Sequence, residues 1–105
     1  MALAAYGDPD RYYKELRDLV VLGEHGAVHV APPWGTYDTT TPLLLDDLTW
    51  SPPQAADQPF TLRADLAAAA QRVFSDAVVH VARHLRHVTT ADTLVFSGGC
   101  ALNSA

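Results

Sequence analysis

The residues best placed to do chemistry lie late in the sequence, where Gly98-Gly99 follows the apolar run Thr93-Leu94-Val95-Phe96 and Asn103 stands four residues further on. In a parallel α/β sheet, ligands sit beyond the C-terminal ends of the strands. Glycines there let the backbone approach a bound group, and amides at a helix start attract anions. The Asn103 carboxamide both donates and accepts hydrogen bonds. This pattern belongs to nucleotide sites, and its plain alternative is a tight turn leading into a surface helix. Three histidines, His80, His84 and His87, recur at helical spacing and could ligate a transition metal through imidazole nitrogen. They fall between an apolar and a charged helix face, however, where amphipathic side chains ordinarily pack, and packing is the favoured reading. His25 and His29 have the same i, i+4 interval, but Gly23 and Gly26 argue against a helix and no role is assigned. Asp46-Asp47 offers a carboxylate pair for acid–base work, with solvated charge as the favoured alternative. Trp34, Tyr37 and Trp50 either line an acceptor surface or plug a small core.

Few elements are available to position these residues. The chain has 105 residues, 49% hydrophobic and 18% charged, which suits one small domain or part of one and excludes a disordered composition. Seven Lys+Arg against twelve Asp+Glu give a net charge of -5 without a basic run, so no nucleic-acid partner is expected. A single cysteine, Cys100, allows no internal disulfide, and a reducing, cytoplasmic setting is expected. No apolar stretch is long enough to cross a bilayer, so no membrane partner is expected either.

From Arg63 to about His87 there is neither Gly nor Pro, and Leu66, Ala70, Val73, Phe74, Ala77, Val81 and Leu85 recur at intervals of three and four. The spacing predicts a long amphipathic helix, capped near Thr61, with Asp65, Arg72, Asp76, Arg83 and Arg86 in water on the opposite face. The alanine run Ala67 to Ala70 permits close backbone approach. Thr93 to Phe96 has the composition of a strand buried on both faces. A short helix is predicted over Tyr12 to Leu19, with Asp10 as its cap, and a hairpin over Leu19–Leu22 and Ala27–Val30. Between residues 31 and 60, Pro32, Pro33, Pro42, Pro52, Pro53 and Pro59 forbid a long regular element.

Three segments together resemble a known family. Leu94-Val95-Phe96-Ser97-Gly98-Gly99-Cys100-Ala101-Leu102-Asn103, the helix Ala64-Asp65-Leu66-Ala67-Ala68-Ala69-Ala70-Gln71 before it, and the opening Met1-Ala2-Leu3-Ala4-Ala5-Tyr6-Gly7 are similar to carbamoyltransferases of the nodulation and antibiotic O-carbamoyltransferase type. The family's opening loop usually reads M-G-L-A-P-Y-G, so Ala2 and Ala5 depart from it. The resemblance implies an α/β fold of the actin/Hsp70/sugar-kinase type, represented here as an internal fragment: loop 1–9, an irregular middle 31–60, and a helix-strand-GGxALN unit 61–105. It implies a two-step reaction in which carbamoyl phosphate and ATP give a carbamoyl adenylate, and the carbamoyl group then passes to a hydroxyl of a small-molecule acceptor. Carried over residue by residue, Gly98 and Gly99 approach the nucleotide, Asn103 hydrogen-bonds it, and the Ser97 hydroxyl reaches a phosphate. Cys100 replaces a small apolar residue and is expected to pack. The family's iron-type divalent metal is implied to be held by a His-x-x-x-His pair and an aspartate outside this chain, and no catalytic residue is assigned within it. The fragment alone is expected to be inactive, with the remainder of a parent polypeptide as its partner. Two competing readings are a non-catalytic interaction module built on the long helix, and a threonylcarbamoyl-transfer relative acting on tRNA; the acidic charge balance and the A-L-N form of the motif weigh against the latter.

Overall fold

The computed structural model describes residues 2–30, 43–45, 48–50 and 59–102, with the backbone alone at 43–45, 48–50 and 102. In chain order these form a 3₁₀ turn (Ala2–Tyr6), α1 (Tyr13–Asp18), β1 (Val20–Leu22), a 3₁₀ turn (Glu24–Gly26), β2 (Val28–Val30), β3 (Leu43–Leu45), β4 (Leu48–Trp50), α2 (Phe60–Val88) and a last 3₁₀ turn (Gly99–Leu102). At 1.5 Å per residue, the 29 residues of α2 span about 43 Å, which accounts for most of the 49 Å long axis of the molecule.

The expected hairpin forms. β1 and β2 pair antiparallel, Val20 opposite Val30 and Leu22 opposite Val28. His25 and Gly26 both have positive φ, 55° and 74°, and Ala27 N–H donates to Glu24 O at 3.1 Å. That is the backbone a hairpin with the right-handed twist of its strands requires, and Gly26 adopts it without the Cβ clash that His25 accepts. A second antiparallel pair, β3 with β4, sets Leu43 opposite Trp50; it was not predicted, because three-residue strands between prolines leave little periodicity to read. Asp46, Asp47, Trp34 and Tyr37 lie outside the described residues, as do the side chain of Trp50 and the whole of Asn103.

The long helix starts earlier than expected, at Phe60. Pro59 occupies the cap position without a side-chain cap bond, its carbonyl accepting from Arg63 N–H at 3.1 Å; Thr61 is already inside the helix. At the other end Thr89 closes the ladder, its N–H and its hydroxyl both donating to Leu85 O, while Arg86 and His87 sit in the last turn, where positive charge complements the helix dipole. α1 begins after Tyr12, also without a side-chain cap bond. Asp10, the expected cap, instead pairs with Arg72.

The face of α2 that is buried is not the one its bulky residues define. Ala64, Ala68, Ala69 and Val73 are the buried positions, and the core joins Ala69 and Val73 to Tyr12 and Leu16. Val73 alone belongs to both sets. The small side chains let the N-terminal segment come close, and Gly7 needs that room: a Cβ there would stand 2.0 Å from Ala64 O. The bulky stripe lies nearly half a turn away at about 100° per residue, with Val81 and Leu85 still 37% and 42% exposed.

Thr93–Phe96 is not a strand. Leu94, Val95 and Phe96 are 60%, 84% and 55% exposed, so no strand buried on both faces forms among the described residues. Its composition asks for cover, and the described residues supply none of the ladder a strand needs. The actin-like fold of the resemblance therefore remains an expectation.

Candidate functional site

Two of the three segments that carry the resemblance meet. The N-terminal 3₁₀ turn packs along α2, with the rings of Tyr6 and Phe60 6.0 Å apart and Gly7 seated on the Ala64 backbone. Asp65 is the joint. Its carboxylate accepts from Asp8 N–H at 2.8 Å and from the Arg11 guanidinium at 3.1 Å, and only 13% of its side chain is exposed. Asp8 in turn accepts from Asp10 N–H at 2.9 Å, a local turn that Asp residues favour.

About three helical turns further along α2, Tyr13 donates its hydroxyl to Asp76 Oδ2 at 2.6 Å, and the Arg72 guanidinium lies 4.2 Å from the Tyr13 ring centre, within cation–π range. The hydrogen bond to the Asp76 carboxylate, helped by desolvation and by that carboxylate's charge, raises the Tyr13 phenol above its ordinary 10.0. Asp65, Arg72 and Asp76, expected in water, thus anchor the N-terminal segment to α2, while Arg83 and Arg86 are exposed as expected. Tyr13 and Asp76 also border a polar cleft of about 500 Å³ shared with Arg17, Ser75, His80 and Arg83.

The histidines hold the hairpin against the helix. His80 Nε2 is 2.9 Å from Gly23 O, and since a carbonyl only accepts, the imidazole donates from Nε2. The rings of His25 and His84 meet edge to face at 5.9 Å. His84 also abuts Gly26, where a Cβ would stand 2.9 Å from His84 Cβ. Among the described residues no group of three or more His, Cys, Asp or Glu is placed to hold a metal ion, and no step is routed through one.

The third segment stands apart from this joint. After Thr89 the chain turns back, and Ala91 to Leu94 share a small cleft with Val79, Ala82 and Leu85 on the C-terminal half of α2. Ser97, Gly98 and Gly99 are exposed. Gly98 has φ 101°, a conformation that side chains rarely adopt, and its carbonyl accepts from Ala101 N–H at 3.0 Å. A methyl group on Gly98 or Gly99 would meet nothing within 4 Å: these glycines leave open space beside a tight turn. Cys100, expected to pack, is exposed with a free thiol.

The sequence pointed to the glycines but not to Asp65, Tyr13 or Asp76 as anchors. The signal available was the charge periodicity of α2, which names a polar face without saying what covers it.

Among the described residues no helix is long and apolar enough to cross a membrane. No protein-family model matches the chain, and no solved structure matches it. A comparison with curated proteins finds similarity to the nodulation protein NolO of Bradyrhizobium diazoefficiens, 33% identical over 104 residues. The aligned part covers 98% of this chain and 18% of NolO, so the chain spans less than a fifth of the relative's length.

Proposed function

We propose that the chain is part of an ATP-dependent carbamoyltransferase, in which carbamoyl phosphate, water and ATP give a carbamoyl adenylate with release of orthophosphate and pyrophosphate, and the carbamoyl group then moves to a hydroxyl of a small-molecule acceptor with release of AMP. The observation that carries this reading is the similarity to NolO along 98% of the chain, because it takes in all three segments on which the carbamoyltransferase resemblance rests. The Gly98 turn supports the assignment of the nucleotide to Ser97, Gly98, Gly99 and Asn103. A left-handed glycine with open space beside it leaves backbone N–H groups accessible to a phosphate, as in anion-binding concavities built from successive amides. In this reading the Asn103 carboxamide bonds the nucleotide and the Ser97 hydroxyl reaches a phosphate. The joint at Asp65 fixes the N-terminal loop on the helix that leads toward this turn. The rest of a longer polypeptide supplies the acceptor surface, the iron-type metal and its ligands.

The test is pyrophosphate release that depends on both ATP and carbamoyl phosphate, measured in a polypeptide that contains these residues and extends over the length of NolO. Gly98→Val is expected to lower kcat/KM for ATP by about 100-fold, because misplacing a reacting group by an ångström has an effect of that order. Asn103→Ala is expected to lower it by about tenfold, the loss of one net hydrogen bond. Unchanged rates in both variants would remove the site assignment.

A further inference from the structure

Four of the five histidines gather where the first hairpin meets α2. The Glu24–Gly26 turn packs along the helix. There the His25 and His84 rings lie 5.9 Å apart at 68°, and His80 Nε2 bonds Gly23 O at 2.9 Å. His29 stands beside Gly23, where a Cβ would come 3.6 Å from His29 Cδ2. His25 reaches its place with φ 55° and ψ 35°, a left-handed backbone that a residue other than glycine holds at a cost. The strained residue and the ring contact thus coincide at one joint between two elements.

Charge decides what this joint can do, because histidine is the side chain that changes charge between about pH 5 and 8. Neutral, the two rings pack edge to face; doubly protonated, they place like charges at the same separation. The other charged and titratable groups on the packed elements do little to offset that. On the hairpin, Glu24 is the one carboxylate, and His29 gains positive charge over the same range. On α2, Arg83 is positive and His80 and His87 become so, while Asp92, from the segment after the helix, shares a cleft with Arg83 and Arg86. The His80 bond to Gly23 O survives protonation, since Nε2 still donates. We propose that the neutral His25–His84 contact latches the β1–β2 hairpin to α2, and that the hairpin is released as both rings gain protons. The released form takes up the two protons without mutual repulsion, so falling pH favours it. A two-stranded ribbon is marginal without other packing, so release shows as fraying of β1 and β2. The latch rests on contacts between described residues and stands independently of the nucleotide reading.

The test is amide hydrogen exchange read by mass spectrometry, at about pH 7.5 and about pH 5.5, with correction for the intrinsic pH dependence of exchange. The sample is a polypeptide that contains these residues and extends over the length of NolO. Protection across Val20–Val30 is expected to fall about tenfold at the lower pH, while the α2 amides from Ala64 to Val73, which include the core positions, keep theirs. His25→Asn, a residue that tolerates the left-handed backbone, and His84→Gln are each expected to remove the fall. His84→Lys, which restores a positive charge opposite a protonated His25, is expected to keep it, as is His87→Gln. Equal protection at the two pH values, a fall that persists in both H25N and H84Q, or an equal loss over Ala64–Val73 overturns the proposal. A fall absent from H84K as well overturns its origin in charge.

Discussion

Two faces of the same helix behave oppositely. The face built from Ala64, Ala68 and Ala69 is packed, and the face built from Leu66, Ala70, Phe74 and Ala77 lines an open groove. Hydrophobicity alone predicts the reverse, since larger side chains release more free energy on burial. Shape decides instead. A short segment with a glycine at its contact point can reach a surface of alanines, whereas the bulkier stripe needs a broad partner such as a sheet or another extended segment. The polar side chains follow the covered face: Asp65, Arg72 and Asp76 bond the segment that lies over the alanines.

The sharpest way to break this contrast is Gly7→Val. The added side chain meets the Ala64 carbonyl at a distance no Cβ tolerates, so the N-terminal segment must leave the helix, and urea unfolding should show a loss of roughly 3 kcal/mol or more. Next in size is a paired substitution at adjacent positions. Ala69→Leu overpacks a position with 0% exposure and should cost about 1–3 kcal/mol, while Ala70→Leu, directed at the groove, should change stability by no more than about 0.5 kcal/mol. Equal effects at the two sites would erase the distinction between the faces. Asp65→Ala removes the acceptor of two hydrogen bonds and should cost about 1 kcal/mol, read as a lower urea midpoint with an unchanged slope.

The smallest effect is a pH dependence. Because Tyr13 has its phenol raised above 10.0, the folded protein holds that proton more tightly than the unfolded chain does. The contribution is complete below pH 10 and is lost as pH rises through the higher folded value. Thermal melts should therefore show a Tm that declines above pH 10 in the parent chain and declines less in Tyr13→Phe; identical profiles would contradict the Tyr13–Asp76 bond.

Much of the architecture was legible in residue order. The absence of Gly and Pro from Arg63 to His87 marked α2, and the glycines around His25 marked the turn of the first hairpin. The covered face of α2 was not legible, because periodicity finds the apolar stripe and is silent on whether a partner is present to cover it. Thr93–Phe96 failed for the same reason: its side chains read as interior strand, yet a strand exists only where neighbours supply hydrogen bonds. At the candidate site, Gly98 was legible because its positive φ is a local backbone demand. Asp65 was not, since its role arises from Asp8 and Arg11, more than fifty residues away in sequence.

The proposed nucleotide site rests on the exposed turn at Ser97, Gly98 and Gly99 together with Asn103. A crystal structure of a NolO-length polypeptide bearing these residues, with a non-hydrolysable ATP analogue bound, tests it most directly. The expected result is phosphate oxygens within hydrogen-bond distance of the Gly98 and Gly99 amides, with the Asn103 carboxamide on the nucleotide. Phosphates held elsewhere, with that turn packed as a buried corner, would contradict it.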